Sequence, residues 1–108
     1  MAICDNKQYE REFIHLMTSW GIDSHRVAGS GAGEEAVCDC IVFYNKKTYV
    51  VEVKATKEEV LYMRTGIRRQ LERMMILCER NGVIPVLAIK FKYRGWNVVE
   101  LKELANMP

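Results

Sequence analysis

Proline is nearly missing from this chain, with two in 108 residues, and no internal repeat, low-complexity tract or linker accompanies them. One domain is therefore expected over residues 1–108. No apolar run approaches membrane-spanning length, so no membrane partner is expected. Met1-Ala2-Ile3-Cys4-Asp5 lacks a basic start followed by a long apolar stretch, which argues against a secretory signal. Metal-ligand spacing is absent as well. The four cysteines are Cys4, Cys38, Cys40 and Cys78; Cys38-Asp39-Cys40 has a one-residue spacer and there is no second close pair. Structural zinc is not expected, and free thiols in a reducing cytoplasm are. Gly29-Ser30-Gly31-Ala32-Gly33 reads as a loop; no Gly-Lys-Ser/Thr follows, which excludes a P-loop. His15 and His25 have nothing near them in the pattern that would give them chemistry.

What is present is an ordinary apolar fraction of 49%, enough for a modest core. Residues 6–20 predict a helix, with Tyr9, Phe13, Leu16, Met17 and Trp20 at helical spacing, Asp5 and Gln8 as a capping box, and Gly21 as the stop. A short strand is expected over 22–28 and a second over 36–43. A turn at Asn45-Lys46-Lys47 leads to a third strand over 48–56. Residues 66–80 predict a second helix with the stripe Ile67, Leu71, Met74, Met75 and Cys78, ended by Asn81-Gly82. The continuous apolar run 83–89 predicts a strand buried on both faces. A last strand over 96–99 and a helical turn over 101–105 complete an α/β architecture, a central mixed sheet flanked by helices.

The chemistry is concentrated in Glu52-Val53-Lys54. On a strand, Glu52 and Lys54 share one face while Val51 and Val53 take the other. Their separation of roughly 6.5–7 Å along the strand leaves space for a hydrated cation. Asp39, placed in the preceding strand, can bring a second carboxylate to the same ion. An Asp, a Glu and a Lys in this order suit metal-assisted phosphodiester hydrolysis. A surface salt bridge is the alternative, but such pairs contribute only about 0–1 kcal/mol, a weak reason to place an acid among Val, Cys and Ile.

Net charge is only +2, yet it is unevenly spread. Residues 64–94 carry eight Lys or Arg against two Glu, a local +6, while residues 1–63 carry ten acids against seven bases, a local −3. A basic half beside an acidic site suits a nuclease, although a solvated helix face accounts for the same charges. Lys46, Lys47, Lys57, Arg64 and Arg68 are phosphate candidates on charge alone. Ile76 and Leu77 fall off the apolar stripe of the second helix, and a helix apolar on more than one side has more than one neighbour. They are assigned to a homodimer interface, with a partly exposed apolar pair or a second contact within the chain as the alternative.

Six segments in order resemble the archaeal-type Holliday junction resolvases of the restriction-endonuclease-like superfamily. They are Tyr9-Glu10-Arg11-Glu12, Arg26-Val27-Ala28-Gly29-Ser30, Asp39, Val51-Glu52-Val53-Lys54-Ala55-Thr56, Leu61-Tyr62-Met63, and the run from Ile84 to Phe91. The resemblance covers nearly the whole chain, although Gly31 to Val37 and the second helix look longer than in relatives. It implies a restriction-endonuclease-like fold and a Mg²⁺-dependent endonuclease (Mn²⁺ substituting) that resolves four-way DNA junctions by paired nicks, leaving 5′-phosphate and 3′-hydroxyl ends. It implies Glu10, Asp39 and Glu52 as metal ligands, Lys54 as a catalytic amine, Ser30 as a further site residue, and Arg11 and Arg26 as DNA-facing bases. Helical periodicity does not choose between Glu10 and Glu12; the resemblance alone selects Glu10. Nothing in the residues reads bases, so a relative cutting flaps, nicked or duplex DNA is the alternative, and a DNA-binding module without catalysis a more distant one.

Overall fold

In a computed structural model, residues 6–27, 38–58, 61 and 65–105 are described. The elements run α1 (Asn6–Ser19), β1 (Asp23–Arg26), β2 (Cys40–Tyr44), β3 (Lys47–Thr56), α2 (Thr65–Asn81), β4 (Ile84–Phe91), β5 (Gly95–Glu100) and α3 (Leu101–Ala105). The five strands lie side by side in chain order. β3 and β4 are parallel and the other neighbours antiparallel. Parallel neighbours need a long crossover, and α2 lies within it.

Alternation along the two central strands builds a core on each face. Val51 and Val53 of β3 and Val86 and Ala88 of β4 pack with Phe13 and Met17 of α1. Val50, Leu87 and Ile89 pack with Leu71, Met74 and Cys78 of α2 and Leu101 of α3. The sheet is thus covered on both sides, as the apolar run 83–89 requires. Both long helices close on a glycine in the left-handed region, Gly21 at φ 72° and Gly82 at φ 68°. After each, the next amide reaches back to the helix: Ile22 N–H donates to Met17 O at 2.9 Å, and Val83 N–H to Cys78 O at 3.2 Å. This is the Schellman closure, and in each case both partners join one core. The β2–β3 hairpin turns on Asn45 and Lys46, both left-handed at φ 53° and 63°, with Tyr44 facing Lys47. Two positive φ values match the right-handed strand twist.

Several boundaries differ from the sequence expectation. β2 begins at Cys40, so Asp39 precedes the strand instead of lying within it. Residues 28–37 lie outside the described residues, as do the Asp5 cap and Leu61's neighbours Tyr62 and Met63. Cys38 and Cys40, which a regular strand over 36–43 would put on one face, divide between the two cores because the chain leaves strand geometry at Asp39. Trp20, expected on the α1 stripe, is 63% exposed, because the helix has already ended at Ser19.

Candidate active site

Asp39 sits where three strands converge. Its backbone N–H donates to Val51 O and its carbonyl accepts from Val27 N–H, both at 2.9 Å. Its Oδ2 accepts from Val53 N–H at 2.9 Å. The carboxylate thereby takes the acceptor place that a carbonyl of a continued β2 would hold, and a side chain competing for the ladder is a reason for a strand to stop. Val53 lies between Glu52 and Lys54, so this bond also anchors Asp39 beside them.

Glu52 is 2% exposed, a carboxylate inside the sheet on its α2 face. Its Oε2 accepts from Gln70 Nε2 of α2 at 2.7 Å and lies 3.2 Å from Lys54 Nζ. Lys54 Nζ also donates to Gln70 Oε1 at 3.1 Å. Glu52 Oε1 is buried and has no hydrogen-bond partner. Burial first, and the Asp39 charge second, push the Glu52 carboxyl up to about 7, against the opposing pull of Lys54.

Glu10 arrives from α1, on the other side of the sheet's end, and is 4% exposed. Its Oε1 accepts from Arg26 Nε at 3.3 Å and Nη2 at 3.2 Å. Burial and then Asp39 raise its proton affinity, while Arg26 lowers it. Asp39 therefore interacts with both glutamates, which the two helix layers would otherwise hold apart. Glu12, indistinguishable from Glu10 by periodicity, has different partners: Lys90 Nζ at 2.7 Å and the Trp96 indole N–H at 3.2 Å. Those contacts tie α1 to β4 and β5 and leave Glu10 as the carboxylate beside Asp39.

Two features correct the sequence expectation. No open space separates Glu52 from Lys54; the amine folds back onto the carboxylate and Gln70 closes over both. And among the described residues no three His, Cys, Asp or Glu side chains converge as a ligand set in this arrangement, with Glu10 turned to Arg26 and Glu52 to Lys54 and Gln70. The donor chemistry nonetheless fits a hard divalent cation. Asp39 interacts with Glu10 on one side and with Glu52 on the other, both glutamates resist ionisation because of burial and Asp39, and one buried oxygen lacks a partner. A cation bound by oxygen donors would relieve each of these. Burial, then Asp39, pushes Cys38 up to about 11 and Cys40 up to about 12, so both stay protonated.

Ser30 and Arg64 lie outside the described residues. Arg26, read as a DNA-facing base, holds Glu10 instead of facing open solvent as a lone cation. Arg11, Lys57 and Arg68 are exposed. Lys46 and Lys47 are exposed at the hairpin, and Lys47 lies five residues, about 17 Å of strand, from Glu52. Gln70 was not singled out from the sequence. Its signal is a helical position one turn before Met74, the middle of the buried stripe, which says nothing until β3 and α2 are brought together.

The model of the archaeal Holliday junction resolvase (Hjc) family matches residues 5–107. The chain is 32% identical over 103 residues to a crossover junction endodeoxyribonuclease of Sulfolobus islandicus rod-shaped virus 1, covering 93% of this chain and 81% of that protein. It is also similar to the solved structure of Archaeoglobus fulgidus Hjc, a Holliday junction resolvase from an archaeal hyperthermophile. There the TM-score is 0.70 and the identity 25%, over 88% of this chain and 75% of that one.

Proposed function

The chain belongs to the archaeal Holliday junction resolvase family, and on that premise we propose that it resolves four-way DNA junctions by metal-dependent phosphodiester hydrolysis. Its five-stranded mixed sheet with flanking helices is the restriction-endonuclease-like fold. The observation that carries the catalytic reading is the buried Glu52, one oxygen unpartnered, beside Asp39 and Lys54.

Asp39 and Glu52, with Glu10, would hold Mg²⁺, or Mn²⁺ in its place. When bound, that ion supplies an activated water and neutralises the phosphate under attack. The remaining work falls to the chain's own groups. Lys54 presents three N–H donors, two of them directed at Glu52 and Gln70; a third is free to orient the attacking water or to donate to a phosphate oxygen gaining charge. Arg26 compensates Glu10, which lets a third carboxylate be held close to Asp39. The products are a 5′-phosphate and a 3′-hydroxyl. Arg11, Lys46, Lys47, Lys57, Arg64 and Arg68, as phosphate contacts, would position the DNA without reading its bases. Ser30 is kept as a further site residue on the family resemblance. Two copies paired through Ile76 and Leu77 would present two sites to a two-fold junction.

Asp39→Asn and Glu52→Gln are each expected to abolish cleavage while junction binding is retained, read by gel shift and by digestion with Mg²⁺. Digesting a four-way junction, a flap and linear duplex side by side tests the substrate. Paired nicks across the junction support resolution. Equal cutting of duplex would move the activity to a general nuclease, and an uncut junction with the variants unchanged would remove catalysis.

A further inference from the structure

Gln70 bridges the two charged groups of the site. Its Nε2 donates to Glu52 Oε2 at 2.7 Å, and its Oε1 accepts from Lys54 Nζ at 3.1 Å. Lys54 Nζ in turn lies 3.2 Å from the same Glu52 oxygen, so the three side chains close a ring. The amide can sit only one way round. An ammonium has donors and no acceptor, so the carbonyl must face Lys54, which directs the NH₂ group to the carboxylate.

The bridge comes from a rigid element. Leu71, its neighbour on α2, and Met74 one turn on are both buried in the α2-side core. Lysine's four-carbon stem is flexible, and a carboxylate held at one point rotates. Two donors on Oε2, from Gln70 and Lys54, stop that rotation and leave Oε1 as the oxygen without a partner. Lys54 is held by two acceptors in the same ring.

We propose that Gln70 is a positioning residue that fixes the rotation of the Glu52 carboxylate and the placement of the Lys54 ammonium, so that Glu52 Oε1 is the oxygen offered to a divalent cation. This rests on the metal-dependent nuclease reading above. A plain tether between β3 and α2 is the competing role, and it differs in what its loss changes. A tether's loss lowers the melting temperature and leaves cation affinity alone. A positioning residue's loss weakens cation binding and chemistry in the folded protein, by about 10- to 100-fold for groups that orient a metal's ligands.

The experiment compares the full chain with Gln70→Leu and Gln70→Met, which keep volume and remove hydrogen bonding. Mn²⁺ affinity is measured by electron paramagnetic resonance without DNA, folding by thermal melting, and cleavage under single-turnover conditions. Both variants are expected to melt close to wild type, to bind Mn²⁺ about 10-fold or more weakly, and to cut junctions more slowly at unchanged junction affinity. Adding Gln70→Leu to Lys54→Met should slow cleavage less than it slows wild type, because the two residues act through one ring. Mn²⁺ affinity equal in wild type and both variants, or absent from all of them, overturns the role of Gln70 whatever the nuclease assay gives. A wild-type protein that binds Mn²⁺ better than the variants but cuts no junction upholds Gln70 and defeats the junction reading instead.

Discussion

A carboxylate 2% exposed, with one oxygen unpartnered, destabilises the fold when it is ionised. Glu52 is pushed up to about 7 from an ordinary 4.5, by burial and then by Asp39. Between those values the folded state binds more protons than the unfolded state, so stability falls as pH rises through that window, and the full deficit is present above pH 7. Its size is on the order of 3 kcal/mol. Glu10 is shifted in the same direction by the same causes, and the two effects share a sign. Glu52→Gln should therefore raise the melting temperature at pH 8 in a cation-free buffer, with the gain shrinking to little at pH 4.5. A loss of stability at pH 8 would mean that the Lys54 and Gln70 contacts outweigh burial. At this scale the sequence was only partly readable. The alternation around Val51 and Val53 marks Glu52 as an acid pointing away from one core, but not as one buried in the other. Glu10 and Glu12 part only because Arg26, sixteen residues on, and Lys90, far along the chain, select different partners.

At the scale of elements, the hairpin shows how far local rules reach. The Asn45-Lys46-Lys47 turn was legible, and both central residues adopt positive φ. Lysine has no side-chain compensation for the left-handed region, which costs an L-residue about 1–2 kcal/mol, part of which glycine returns as chain entropy. Lys46→Gly should stabilise the protein by about 0.5–1 kcal/mol in urea unfolding. The same variant reports on DNA. If Lys46 touches a phosphate, the slope of log affinity against log salt should flatten by about 0.9; an unchanged slope removes Lys46 from the phosphate contacts. Helix ends were equally legible through Gly21 and Gly82, because a left-handed glycine after an apolar stripe is a local signal. The start of β2 was not. Asp39 leaves the strand by putting its side chain into a hydrogen bond with β3, a contact across fourteen residues. A period-two pattern carries no information about that bond, and the same break sends Cys38 and Cys40 to different cores.

For the whole molecule, the geometric problem is the number of cuts. One copy of the proposed Glu10–Asp39–Glu52 site lies in a body whose longest extent is 37 Å. Resolving a four-way junction needs two opposed nicks, and a second copy is the simple source of the second site. The surface offers apolar side chains where the helix pattern placed them. Ile76 is 53% exposed and Leu77 37% exposed on α2, away from Leu71, Met74 and Cys78. Burying such residues between copies is favourable at about 25 cal/mol per Å² of apolar area, and in the proposed dimer replacing them with acids would put like charges against one another. Ile76→Asp combined with Leu77→Asp should leave the fold intact, since neither residue joins a core cluster. Wild type should sediment as a dimer at micromolar concentration and the variant as a monomer. With a junction substrate, the variant should still release single nicks while resolved duplex product falls, because the two nicks no longer come from one bound complex. Wild type sedimenting as a monomer, or the variant resolving junctions at the wild-type rate, would detach Ile76 and Leu77 from the paired cut and require the second site to be supplied by another surface.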